Sequence, residues 1–335
     1  MNLIVYKFKK LKENITNFSK GIIGLILFYK SNKQNQIFLY HEISYRPSQF
    51  AHDYKLNVNP TTFEKQIKWI SKRYQILDPL DLLDTKSKIK RNTSRPKALI
   101  TFDDGSISVL NNAAPILRKL RLKALFFLNM KPIEGGHFWV GKINYLLNND
   151  YEFNKLMKKK YKHKKNIFLY ITDDDLKNVN LEISSSSFDK KLKNYYGNFA
   201  SKDLLMENSD VFIYGSHLYD HYNAANLNKD ELKSQLDKNK LSLLKINGNP
   251  QFFAYPFGQP ETCLNSSTNK IIISSGVKKV FYSSGESNLN FESEFLNRVT
   301  PSDYYYSGYM KYLISSQFLR NLKSFLFNIL NKIFK

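Results

Sequence analysis

Over the middle of the chain, short β-rich runs alternate with helix-period stretches. This alternation limits the fold more than any other feature. Gln36–Tyr40, Ala98–Phe102, Lys123–Leu128, Val211–Tyr214, Gln251–Tyr255, Val277–Tyr282 and Phe295–Val299 read as strands. Thr61–Tyr74, Ile107–Leu120 and Asn228–Ile246 read as helices, the first announced by Pro60. Such alternation predicts an α/β protein with a parallel sheet or barrel and helices outside. Chemistry then belongs at the C-terminal strand ends. Residues 149–209 break the pattern with a polar, Lys- and Ser-rich stretch, expected as an insertion over the site and not a separate domain.

The 335 residues are 42% hydrophobic, enough for a sizeable core. The net charge of +22 suits anionic partners, or else reflects lysine spread over a solvated surface. The densest basic run, Lys158 to Lys165, has little apolar periodicity and reads as solvated insertion. No nucleic-acid module is recognisable and aromatics do not interleave with the basic run, so a nucleic-acid partner is not expected. The single cysteine, Cys263, excludes an intrachain disulfide and a Cys-rich zinc site. Any metal must be held by histidine and carboxylate.

Ile4, Phe8, Leu11, Ile15, Phe18, Ile22 and Leu25 form one helical stripe with lysines off it. Phe318, Leu322, Phe325, Ile329 and Ile333 form another. These stripes predict basic amphipathic helices over 1–34 and 303–335, flanking a domain over 35–302. Basic amphipathic helices lie in membrane interfaces; packing on the protein's own core or in an oligomer are the alternatives. The apolar run Gly21–Tyr29 lacks a cleavage site and is too short to span a bilayer. The expected location is therefore cytoplasmic, peripheral on the inner face of the membrane.

Thr101-Phe102-Asp103-Asp104-Gly105 follows a strand. Two adjacent carboxylates must be solvated, hydrogen-bonded or metal-bound. The pair fits a metal site with a base beside it, or a surface turn capping the next helix. His217 and His221 follow another strand, and i, i+4 spacing brings two imidazoles together on a helical turn, a common way to present them to one metal. Alone, that spacing also arises by chance.

Together these motifs resemble the polysaccharide deacetylase family, the carbohydrate esterases with a NodB-like domain. Thr101–Gly105 matches the first family motif and His217–His221, after Gly215-Ser216, the second. Ala254-Tyr255-Pro256-Phe257-Gly258 matches the third in part. The resemblance runs from about Gln36 to Thr300, in family order. It implies a distorted barrel of the (β/α)7 kind. It also implies one divalent metal on Asp104, His217 and His221, with zinc first and cobalt, nickel or manganese as alternatives. Asp103 would be the general base, and the backbone N–H of Phe257, beside Tyr255, would hold the oxyanion.

Two family features are missing. Ala254 stands where an Arg usually orients the base, and no histidine follows His221 to serve as the acid. Leu39-Tyr40-His41-Glu42 resembles the Tyr-His motif that opens one branch of the family, which would make His41 the general acid. A buried histidine bonded to backbone is the bland alternative. Arg298 is a candidate replacement for the lost Arg. Trp139 would stack on a sugar ring or belong to the core. The expected activity is hydrolytic removal of acetyl groups, chiefly N-acetyl, from sugars of a surface polysaccharide or glycolipid. A catalytically impaired glycan-binding protein on the same fold is the alternative, motivated by the missing Arg and late His.

Overall fold

The computed structural model describes residues 34–83, 95–164, 166–171, 175–176 and 186–315, with Thr16 besides. Seven strands run in parallel and pair in chain order: β1 (Gln36–Tyr40), β2 (Lys97–Phe102), β3 (Ala124–Leu128), β4 (Phe212–Ser216), β5 (Phe252–Ala254), β6 (Lys279–Tyr282) and β7 (Phe295–Asn297). Backbone bonds from Leu39 N to Val299 O (2.9 Å) and from Val299 N to Ile37 O (2.8 Å) join the chain beyond β7 to β1. This nearly closes the sheet into a barrel of the NodB kind. The pair Gln75–Ile76 lies beside β2, and Glu42–Ile43 pairs with Asn57–Val58.

Continuous apolar runs form these strands because both sheet faces are covered. Successive side chains point to opposite faces. Ile37, Leu99, Leu125, Phe127, Phe281 and Leu296 make one cluster. Phe38, Tyr40, Ile100, Phe102 and Phe126 belong to another. The second set packs with α1 (Pro60–Arg73) through Phe63, Ile67 and Ile70. Asn59 starts α1 by accepting from Thr61 N, with Pro60 at the first helical position, where its missing N–H costs nothing.

The structure refines two sequence expectations and corrects a third. The helix expected over Ile107–Leu120 is present over residues 107–119, with a π turn, Val109–Ala113, set inside it before the α-helical stretch Ala114–Lys119. The insertion is largely helical where described, with α3 (Tyr151–Lys160) and α4 (Ser186–Tyr196) following α2 (Trp139–Asn149). It shares a core of its own with α2: Phe138, Trp139, Ile143, Leu146, Met157, Phe168 and Leu192 are buried together with Phe50 and Tyr222. Finally, the His217–His221 segment is not a helical turn but an irregular loop with Leu218 and His221 at φ of 58°.

The N-terminal stripe and the stripe beginning at Phe318 lie outside the described residues. Residues 307–315 are helical, and Tyr309, Met310 and Ile314 join the core around α1. Among the described residues, no helix is long and apolar enough to cross a membrane.

Candidate active site

Five strand ends deliver side chains to one cavity of about 270 Å³. His41 follows β1, Asp103 and Asp104 follow β2, His217 and His221 follow β4, Tyr255 and Phe257 follow β5, and Arg298 follows β7; all eight line it. In a parallel barrel the C-terminal ends share one rim, so residues far apart in sequence converge without special contacts.

Asp104 Oδ1, His217 Nε2 and His221 Nε2 all lie within 4.8 Å of one another. The histidine nitrogens sit 3.5 and 3.2 Å from that carboxylate oxygen. Neither is oriented as a hydrogen bond, so Asp104 Oδ1 is buried without a donor. Leaving a buried carboxylate oxygen bare is costly unless a cation meets it. His217 Nδ1 lies 2.8 Å from Ala254 O, which assigns the proton to that nitrogen and leaves the Nε2 lone pair facing Asp104. Two imidazole nitrogens and one carboxylate oxygen suit zinc, with a fourth position left open. The donor set therefore fits a divalent cation.

The electrostatics follow from burial and proximity. Burial pushes Asp104 upward, but contact with His217 and His221 outweighs it and holds the carboxyl well below its usual range. Burial pulls His217 down, yet the Asp103 and Asp104 carboxylates outweigh it and raise the imidazole. For His221 burial prevails over Asp104, and its pKa is lowered.

Asp103 is 3% exposed and faces Arg298, which is fully buried. The guanidinium donates from Nη1 to Oδ1 at 2.7 Å and from Nη2 to Oδ2 at 2.8 Å. It also stacks over the Phe127 ring and donates from Nε to Tyr282 O. Asp103 Oδ2 is 3.9 Å from His217 Nε2, so the base candidate borders the three-residue cluster.

His41 reaches the same cavity, and its Nδ1 is buried without a hydrogen-bond partner among the described residues. A histidine satisfied by backbone would not look like this. His137 and His52 lie away from the cavity, each beside an exposed aspartate.

The third motif is bent sharply, with φ of 63° at Phe257 and 70° at Gly258. The Phe257 N–H has no acceptor among the described residues, and its ring sits 5.0 Å from His221. Tyr255 borders the cavity, but its hydroxyl donates to Asn269 Oδ1 at 2.8 Å and its ring stacks on Tyr282. Among the described residues, four of the seven non-glycine residues with positive φ, namely Asp104, Leu218, His221 and Phe257, are in these loops. Each such conformation costs about 1–3 kcal/mol, so strain is concentrated where the candidate ligands are presented. Gly105, at φ of 99°, completes the turn after Asp104.

Trp139 is not at the cavity wall. It is 4% exposed, stacks on Tyr222 and donates from Nε1 to Asp220 O at 2.6 Å, bracing the loop that carries His221. Phe50, Tyr54, Leu56, Asn166 and Phe168 are among the other residues that line the wall, and they were not read from the sequence. They lie in a short helix, in loops and in the insertion, where no periodicity or motif marks them.

Comparison with known proteins places this architecture. Residues 90–280 match the family model described as polysaccharide deacetylase. The chain belongs to the polysaccharide deacetylase family. It is 36% identical over 104 residues to a curated protein of Bacillus subtilis named putative polysaccharide deacetylase YxkH, and the match covers 30% of this chain and 34% of that one. Only about a third of that relative's length is thus spanned. The fold is similar to a deacetylase PplD of Streptococcus pyogenes solved with acetate, with a TM-score of 0.57, 18% identity, and coverage of 83% of this chain and 96% of that one. It is also similar to IcaB from Ammonifex degensii, with a TM-score of 0.54, 16% identity, and coverage of 85% and 97%.

Proposed function

We propose that this protein is a metal-dependent hydrolase that removes acetyl groups, chiefly N-acetyl, from sugars of a polysaccharide or glycolipid. The observation that carries this reading is the convergence of Asp104, His217 and His221 beside the Arg298-held Asp103 in one cavity. Asp104, His217 and His221 would hold the cation, with zinc the best match to the donors. A cation there supplies Lewis-acid activation of the acyl carbonyl and of water.

The chain's own groups account for the remaining steps. Asp103 accepts the proton from the attacking water as its oxygen bonds to the acyl carbon. Arg298 fixes that carboxylate's plane while leaving a lone pair on each oxygen. The Phe257 N–H donates to the developing oxyanion. His41 donates a proton to the departing nitrogen, and the C–N bond breaks to give acetate and a free sugar amine. Trp139 and Ala254 O hold the two histidines in place. The basic stripes at the two ends support peripheral attachment to an anionic membrane, on its inner face.

The direct test is to incubate the full chain and zinc with a panel of N- and O-acetylated glycans and measure released acetate. Release from an N-acetylated glycan, abolished by a chelator and restored by zinc, is expected. A zinc-loaded protein that frees no acetate from any of them overturns the reading.

A further inference from the structure

The loop that carries His217 and His221 is held by one helix, α5 (Lys229–Leu244). Two buried amide side chains, Gln235 and Asn239, lie one turn apart on the same face of that helix. Asn239 serves the His217 end of the loop. Its Nδ2 donates to Ser216 Oγ at 2.9 Å and to Leu128 O at 2.8 Å, and its Oδ1 accepts from Met130 N at 3.0 Å. Gln235 serves the His221 end. Its Oε1 accepts from Asp220 N and its Nε2 donates to Asp220 Oδ2, both at 2.8 Å.

Asp220 has two further anchors. Its other carboxylate oxygen pairs with Lys131, in the short helix Met130–Ile133, and its carbonyl accepts from Trp139 Nε1 in α2. Three helices thus converge on the residue immediately before His221.

The two imidazoles are held in different ways. His217 Nδ1 is fixed by Ala254 O. His221 Nδ1 is buried without a hydrogen-bond partner among the described residues. A metal-binding histidine ordinarily keeps its second nitrogen in such a bond, which sets the ring's orientation. His221 has ring contacts instead, 5.6 Å to Phe138 and 5.0 Å to Phe257 between centroids. Edge contacts of this kind limit tilt but do not fix a nitrogen at one point. The placement of His221 Nε2 is therefore set by its backbone, which sits in the left-handed region at φ of 58°. A residue in that region keeps its shape only while its neighbours over-determine it.

We propose that Gln235, acting through Asp220, is the positioning residue for His221, and that α5 is the template that sets the spacing of the two imidazoles. This rests on Asp104, His217 and His221 holding the metal, so the test reads the two separately.

Zinc titration of the metal-free full chain, together with the visible spectrum of the cobalt-loaded protein, provides that test. Gln235→Ala removes both side-chain bonds to Asp220. It should weaken zinc binding about 10- to 100-fold and alter the cobalt bands, which report ligand geometry and not stability. Asp220→Asn keeps a side-chain oxygen for Gln235 Nε2 and should retain most of the affinity and the wild-type bands. Asp220→Ala should lose both. Wild-type zinc affinity and cobalt bands in Gln235→Ala overturn the proposal. So does equal affinity in Asp220→Asn and Asp220→Ala, a comparison that stands even if Gln235→Ala fails to fold. A wild-type protein that binds no zinc would overturn the metal site itself, and this role for Gln235 with it.

Discussion

Arg298 and Asp103, 195 residues apart in the chain, form a two-pronged ion pair inside the barrel, at 2.7 and 2.8 Å. The pair exists because residues beyond β7 bond back to β1, which lies beside β2. In the family motif an Arg from the third motif faces the corresponding Asp, and this chain has Ala254 there. Here the guanidinium arrives from the opposite side of the barrel seam. Removing one partner of a buried pair costs about 3–5 kcal/mol, because the other charge is left uncompensated. Arg298→Met should therefore lower the melting temperature markedly as well as activity. Arg298→Lys, with one point charge for a planar fork, should recover part of the stability and less of the turnover. Thermal unfolding and acetate release on both variants check this; wild-type stability in Arg298→Met would refute it.

Metal binding should depend on the three clustered donors. Titration of the metal-free protein with zinc should give one tight site, and His217→Ala should weaken it strongly, since three protein ligands become two. Equal one-to-one binding by both proteins would remove Asp104, His217 and His221 as the ligand set.

Asp103→Asn is nearly isosteric but cannot take a proton from water. Turnover should fall by about 10²–10⁴-fold, with zinc stoichiometry close to wild type by elemental analysis. Near-normal turnover would mean the base lies elsewhere.

His41→Ala separates the leaving groups. An amide nitrogen departs poorly unless protonated, whereas an ester oxygen needs less help. Release from N-acetyl substrates should drop by about 10²-fold or more, and release from 4-nitrophenyl acetate by much less. Parallel losses on both substrates would exclude His41 as the acid.

The terminal segments can be tested by deletion. A protein spanning residues 34–315 should no longer cosediment with phosphatidylglycerol vesicles, while the full chain should, less so at high salt. If both bind alike, or the shortened protein fails to fold, the stripes have another role.

The sequence alone was enough for the parallel strands, the helices around them and the position of each chemical motif at a strand end. Those signals are local: apolar runs set strands, Pro60 starts a helix, and Asp-Asp-Gly marks a turn. Even there, the His217–His221 spacing suggested a helical turn, and the chain instead adopts a strained loop braced by Trp139 and Ala254 O. Only the tertiary structure decided which distant residues meet. Barrel closure set Arg298 against Asp103, and the fold of the insertion turned Trp139 inward while bringing Asn166 and Phe168 to the cavity. Such contacts depend on how whole elements pack, and side-chain period and motif spacing carry information over only a few residues.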